Sequence, residues 1–428
     1  MRAVTRKLGA SAANVVVLVL GTIAGHLVTL AATPVLSRYF EPAAFGTFGV
    51  FSGLVAVVGS VATLRYEVAV VLPKSDERAR ELLFASVLVA IGLSALVAMG
   101  LWIGGGWIGR FLDVPSLDGW WWALPLGVLA MGMTQALASW FSRRQDYRII
   151  AGNQLLRSTA TVVSQIVGGA FGLGSVVLVG GKAIGDIAGA ARLAWVAWKQ
   201  GTLRWLENGT FRRAARAAKE FPEFPTYSSA QALLNALSQN IPVVLVASYY
   251  GVHSAGLFAF SHRILSLPVG VLSQSVRQVY VQRFSQNEVG DPRNRATIIR
   301  ATLLLAVVGV VPAVLLSVWS EPMFALCFGE EWRQAGTFAR ALLPWLVALG
   351  MNPVSMSFLQ AFRFQRLLLA YDVGLLLARV IVLVLASRVY SDVGAIFAFS
   401  IVGFGANLFL IVVAGVLARA PRVLSYDG

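Results

Sequence analysis

Long apolar runs recur from one end of this chain to the other, among them VVVLVLGTIAGHLVTLAA near the N-terminus and ATLLLAVVGVVPAVLLSVW in the second half. A bilayer core takes about 20 such residues to cross as a helix. Lipid offers the backbone no hydrogen-bond partner, so a spanning segment is either a helix or a strand of a closed barrel. Continuous runs, in place of roughly ten-residue alternating ones, select helices. With 57% hydrophobic and 13% charged residues, the chain carries far less charge than the ~25% of a soluble domain. The expected fold class is therefore an all-α integral membrane protein.

Twelve spans are expected, over 10–36, 42–64, 80–103, 119–142, 147–171, 173–198, 226–249, 252–282, 299–319, 335–362, 366–388 and 392–418. The start, MRAVTRK followed by NVVVLVLGTIAG, has the charge and apolar run of a signal peptide but no small-residue cleavage site, and reads as the first span. The net charge of +15 does not indicate nucleic acid, because the basic residues are spread over short loops between spans. With the N-terminus inside, the cytoplasmic segments hold 25 Lys and Arg, and the outer loops hold four: Arg38, Arg110, Arg333 and Arg388. This is the positive-inside pattern, and it places both termini in the cytoplasm. The single Cys327 excludes an internal disulfide or a multi-cysteine metal site, and no metal is expected.

The longest hydrophilic segment, 199–225, ends in FPEFPTY and divides the spans six and six. It reads as a cytoplasmic linker between an N-terminal lobe (1–198) and a C-terminal lobe (226–418), with a tail at 419–428. At an offset of 210 residues Tyr39 meets Tyr249, Phe40 meets Tyr250, Gly46 meets Gly256 and Phe48 meets Phe258. Even span counts and these matches favour a parallel repeat about an axis along the membrane normal.

A charge at mid-bilayer costs roughly 2.5–3.5 kcal/mol on insertion scales, so each one needs a partner or a wet cavity. Arg157, Lys182, Asp186, Arg263 and Arg379 stand near mid-span, as does His26. Asp372 lies nearer an inner end, and Arg192 and Arg340 are close enough to an interface to snorkel. Lys182 with Asp186, and Asp372 with Arg379, share helix faces. Each couple is either an ion pair or, through its carboxylate, a coupling-ion site. Four deep basic groups against two carboxylates favour a cavity that attracts anions. Thr22, His26, Thr29 and Thr33 form one polar face in the first helix. Ser228, Gln231, Asn235 and Ser238 form another in the seventh, with Gln239 beside them. Such stripes are either glue between helices or cavity lining, and their place at the head of each half favours lining. Between spans two and three, Arg65 and Glu67 are followed by VAVVLP, apolar enough to continue the helix to the bilayer surface. The pair is either a cytoplasmic gate latched across the lobes or an interfacial anchor.

Four segments, SRYFEPAAFGTFGVFSG, LRYEVAVVLPKSDERARELL, AGLFAFSHRILSLPVGVLSQSV and LCFGEEWRQAG, give the chain a resemblance that runs over its whole length. It resembles the oligosaccharide flippases (Wzx-type) among the polysaccharide biosynthesis proteins, within the multidrug/oligosaccharidyl-lipid/polysaccharide exporter superfamily. The resemblance implies a V-shaped, alternating-access transporter of two six-helix lobes in the inner membrane. Its cargo would be an undecaprenyl-diphosphate-linked oligosaccharide, such as an O-antigen repeat unit, moved from the cytoplasmic to the outer leaflet. The implied partners are this lipid-linked substrate, the bilayer and other polysaccharide assembly proteins, with the chain a monomer. No cofactor is implied beyond coupling to a proton or sodium gradient. His26 and Arg263 carry over by position as cavity cations for the diphosphate, with Arg157, Lys182 and Arg379 behind them. A drug/cation antiporter of the same superfamily is the alternative; its cavity would favour acidic residues. A membrane-embedded glycan polymerase needs a larger soluble loop than this chain has, and no DxD motif occurs, so an enzyme is not expected. The topology has a direct test. In intact cells Cys327 is expected to react with a membrane-impermeant maleimide, and labelling only after permeabilisation would reverse the assignment.

Overall fold

The computed structural model of the protein describes residues 2–112, 121–202, 210–288, 291–362 and 364–419. Part of the expected linker (203–209), an expected outer loop (113–120) and the tail from 420 lie outside the described residues. The described chain is helical throughout, with no strand. Its elements are α1 (Arg2–Tyr39), α2 (Pro42–Gly59), α3 (Tyr66–Ala69), α4 (Asp76–Leu112), α5 (Ala123–Arg143), α6 (Tyr147–Ala170) and α7 (Val176–Lys199). They continue with α8 (Thr210–Lys219), α9 (Ser229–Ser285), α10 (Pro292–Phe328), α11 (Arg333–Met351), α12 (Pro353–Ala361), α13 (Gln365–Ala386) and α14 (Asp392–Leu417).

Several expected boundaries change. The second span stops at Gly59, well short of 64: the chain then tightens into turns, with the Val61 and Ala62 N–H groups bonded to the Val58 and Gly59 carbonyls, and turns left-handed at Leu64 and Arg65. VAVVLP therefore does not continue that helix. The expected spans 226–249 and 252–282 run together as α9, broken at Gly251 (φ 84°, ψ 166°). The expected span 335–362 is α11 and α12, bent by 40°. Among the described residues eight helices are long and apolar enough to cross a membrane, or up to nine if that bent pair is one span. Twelve crossings are not reached by this measure. One qualifying segment, Phe224–Ser285, holds two of the expected spans. Both α6 and α7 fall below the threshold, because Asn153, Gln154, Arg157 and Gln165 interrupt the first and Lys182, Asp186 and Arg192 the second.

The breaks support the internal repeat. Glu41, between α1 and α2, is extended (φ −69°, ψ 161°), and the residue 210 positions on is Gly251, the break in α9. A helix break thus stands at positions 210 residues apart in the two halves, with φ of opposite sign.

The chain forms two compact units, residues 1–240 and 241–428, divided within α9 and not at the linker. In the first unit α1 packs on α6, α6 on α7, and α5 on both α4 and α7. Its core includes Leu82, Leu83, Leu137, Trp140, Phe141 and Leu193. In the second unit α11 packs between α10 and α14, and α13 lies on α14. Phe260 stacks on Trp332 there at 3.9 Å between ring centroids, and Phe284, Phe358 and Leu410 belong to a second cluster. Leu303, Leu304, Val311 and Leu315 of α10 remain exposed, as suits a helix side turned to lipid.

Lipid tails are as apolar as leucine, so burying apolar area does little to drive helices together in a bilayer; close backbone approach and dispersion do more. On α7 Gly181, Gly185 and Gly189 recur every fourth residue and face α6. A Cβ on Gly185 would sit 2.0 Å from Thr161 Oγ1 and 2.7 Å from the Arg157 carbonyl oxygen, so no side chain fits. Gly180, one residue from the stripe, has open space at its Cβ position. Gly185→Ala is expected to lower stability by about 1–3 kcal/mol through overpacking. Gly180→Ala should leave it unchanged or slightly raised. Thermal unfolding of the two purified variants in one detergent checks the contrast.

Candidate functional site

The first unit contains a cavity of about 470 Å³, lined by Ala56, Ser60, Arg65, Met131, Gln135, Ser228, Gln231, Ala232, Asn235, Ala236, Gln239 and Asn240. Three walls build it: the end of α2 and its following turn, the middle of α5, and the first turns of α9. On α9 the spacing Ser228, Gln231, Asn235, Gln239 keeps the polar residues on one helix face. Gln239 Nε2 donates to Asn235 Oδ1 (2.5 Å), and Asn240 Nδ2 to the Ala236 carbonyl (2.8 Å). From α5, Gln135 Nε2 donates to the Gly59 carbonyl at 3.3 Å. A carbonyl can only accept, so the amide nitrogen must face it. That leaves Gln135 Oε1 buried, with no partner among the described residues.

The turn after α2 sets the position of Arg65. Leu64 (φ 47°) and Arg65 (φ 61°) occupy the left-handed region without being glycine, a conformation that persists only when its surroundings enforce it. Several contacts do so here. Arg65 Nη1 meets Glu67 Oε1 at 3.2 Å, and the Thr63 hydroxyl also donates to the Glu67 carboxylate. Arg143 of α5 reaches across the loop, donating to the carbonyls of Val71 (3.3 Å) and Pro73 (2.5 Å) and to Asp76 (3.0 Å). Ala69 and Val70 are buried in the core beside Phe224. Phe224 opens a π-helical turn, Phe224–Ser228, that feeds α9, and Ser229 Oγ donates back to its carbonyl at 3.0 Å. The loop and the α9 wall thus share one buried anchor. Arg65 Nε is buried with no partner among the described residues.

The structure sorts the residues singled out from sequence. Gln231, Asn235, Gln239 and Arg65 line this cavity together. Arg65 and Glu67 pair with each other within the first unit. His26 is exposed on α1, and the Thr29 and Thr33 hydroxyls donate to the Gly25 (3.1 Å) and Thr29 (2.8 Å) carbonyls of their own helix. None of these, nor Thr22, lines the cavity. Lys182 pairs with Asp186 at 2.8 Å as its spacing allows, but the buried carboxylate is shared with Arg157 of α6 at 3.5 Å. In the second unit Arg379 is buried with its guanidinium 4.7 Å from the Trp345 ring and 5.1 Å from Phe399, and Asp372 is half-buried on the same helix. Arg263 has no hydrogen bond or ion pair to its side chain among the described residues. Sequence reasoning missed Ser60, Gln135 and Asn240. The signal for Gln135 was a lone amide within the apolar run GMTQALA, outside the polar stripes of the first and seventh spans. No group of three or more metal-ligating side chains occurs among the described residues.

Bundled apolar helices, eight or nine of them long and apolar enough to cross a bilayer among the described residues, are the architecture of a multi-pass membrane protein. Residues 35–337 match the family model described as "Polysaccharide biosynthesis protein", and the chain belongs to that family. The fold is shared with solved structures that include transporters of the MOP superfamily. The structure of the lipid II flippase MurJ in an inward closed conformation matches with a TM-score of 0.72 at 14% identity, covering 93% of this chain and 87% of that one. An inward-facing multidrug resistance MATE family transporter of the MOP superfamily matches with 0.64 at 12% identity, covering 94% and 95%. A MOP superfamily transporter from Pyrococcus furiosus, described as having a binding pocket of reverse polarity, matches with 0.55 at 13% identity, covering 94% of each chain. The first of these is a flippase and the other two are transporters. No curated protein is similar enough to be matched.

The Arg157–Asp186–Lys182 cluster gives a separate test. Removing the shared carboxylate leaves two cations without their partner, and breaking a fully buried pair costs about 3–5 kcal/mol. Both cations keep partial exposure, so Asp186→Asn is expected to cost less, about 2 kcal/mol. Replacing all three by leucine should recover most of that loss in the same unfolding assay.

Proposed function

We propose that this chain is a flippase for undecaprenyl-diphosphate-linked oligosaccharide, carrying a polysaccharide or O-antigen repeat unit from the cytoplasmic to the outer leaflet of the inner membrane. The observation that carries the reading is the cavity of the first unit. Its lining presents amides, hydroxyls and one arginine, with no carboxylate among the described lining residues. A polar headgroup finds hydrogen-bond partners there, while the lipid tail stays in the bilayer. A drug cation would find no counter-charge in that lining. Membership of the polysaccharide biosynthesis family supports a glycan cargo, and the fold shared with a lipid II flippase supports a lipid-linked one.

In this reading Arg263 meets the diphosphate. A guanidinium offers a planar fork of donors matched to phosphate oxygens, and this one is not committed to any described acidic side chain. The flippase works by alternating access as a monomer with both termini in the cytoplasm, energised by a proton or sodium gradient or by none. Asp186 and Asp372 are the carboxylates open to a coupling role. The sugars pass through the amide cavity, and Arg65 with Glu67 stands at its edge as a gate.

Arg263→Ala, expressed to normal level in a flippase-null strain, is expected to reduce surface polysaccharide by on the order of tenfold or more, the scale of losing a charge-assisted contact. Arg263→Lys should restore part of it. Full complementation by the alanine variant would remove Arg263 from the diphosphate site.

A further inference from the structure

We infer that the cavity of the first unit reads the sugar itself through side-chain amides, and so selects uncharged, hydroxyl- and acetamido-bearing sugars over acidic ones. This rests on the flippase reading and narrows its substrate class. The cavity volume lies in the range of small-molecule sites. Five of its lining residues are carboxamides: Gln135, Gln231, Asn235, Gln239 and Asn240. An amide carries donors and an acceptor on one short arm, as a sugar hydroxyl or acetamido group does, so the two surfaces complement each other without formal charge.

Charge sharpens the selection. Arg65 is the one charged residue in the lining, and Glu67, itself buried, lies 3.2 Å from its guanidinium. The cavity is thus close to neutral, whereas the count of deep basic residues in the sequence pointed to a cationic one. Two lining residues each carry a buried polar atom with no partner among the described residues: the acceptor Gln135 Oε1 and the donor Arg65 Nε. Once these side chains turn the atoms into the cavity, a hydroxyl satisfies both kinds, donating to the first and accepting from the second. An acetamido group does the same with its N–H and its carbonyl. A carboxylate accepts only; it would satisfy Arg65 but face Gln135 Oε1 and the Glu67 carboxylate, both electron-rich. Desolvated polar groups left unpaired by the wrong ligand are what give such a site its discrimination. Met131, Ala56, Ala232 and Ala236 supply apolar surface for the carbon face of a ring.

The test uses the full-length protein in lipid nanodiscs, titrated with methyl N-acetyl-β-glucosaminide and with methyl β-glucuronide by saturation-transfer NMR. The acetamido sugar is expected to bind about tenfold or more tightly than the acid, the scale of one hydrogen bond lost in a desolvated pocket. Gln135→Leu should weaken the acetamido sugar by a similar factor. Glu67→Gln releases Arg65 from its counter-charge and should strengthen the glucuronide while leaving the acetamido sugar within about twofold. A merely structural pair would not produce that gain, and a misfolded variant could not. Equal binding of the two sugars overturns the proposal. So does unchanged affinity in Gln135→Leu, or no gain for the glucuronide in folded Glu67→Gln. Proteoliposome translocation of undecaprenyl-diphosphate-linked N-acetylglucosamine separates the two claims. If the probe does not cross but the sugars bind in the expected order, the flippase reading fails and the sugar site stands. If it crosses while the sugars bind alike, the sugar site fails and the flippase stands.

Discussion

Every polar group that this chain carries into the membrane must find its partner inside the protein, because the hydrocarbon offers none. Much of the architecture follows from that constraint. Asp186 is held between Lys182 and Arg157, and the glycine stripe on α7 brings α6 close enough for that sharing. The threonines of α1 turn to their own backbone carbonyls, and Arg143 spends its donors on the carbonyls of the loop beneath it. Arg379 lies against aromatic faces, where a cation gains from the ring quadrupole. Against this background the exceptions are informative. Several buried polar atoms lack a partner among the described residues, and two of them, Gln135 Oε1 and Arg65 Nε, belong to residues that line one cavity.

The turn from Ser60 to Arg65 joins stability to function. Two consecutive left-handed residues that are not glycine cost conformational energy, and the loop keeps them only because contacts on every side enforce the shape. Glu67 fixes Arg65 and Thr63 together, Arg143 clamps the following carbonyls, and Val70 with Phe224 roots the loop in the core. Through Phe224 the same core holds the π-helical turn that aims the amides of α9. Arg78 adds a tie from α4 to Glu220, just before that turn. A displacement of this loop would move the arginine and the amide face together.

The polar face Gln231, Asn235, Gln239 was legible because helical spacing alone puts those residues on one side. The role of Arg157 was not, because its partner lies 29 positions away on another helix and only the α6–α7 packing brings the two together. Arg65 was legible as a residue at the cavity mouth, yet VAVVLP read as a helix extension, because apolarity does not reveal a left-handed turn. Gln135 stands outside the polar stripes of the first and seventh spans, although an amide in an apolar run is itself a polar group in need of a partner.

The sequence by itself determined that this is a helical membrane protein and where its apolar segments lie. These are local properties, set by apolarity and backbone preference within a few turns of chain. Only the tertiary structure decided which buried charges pair and which amides converge on one cavity. Those outcomes depend on distances between helices, and a few ångströms separate a paired carboxylate from an open one.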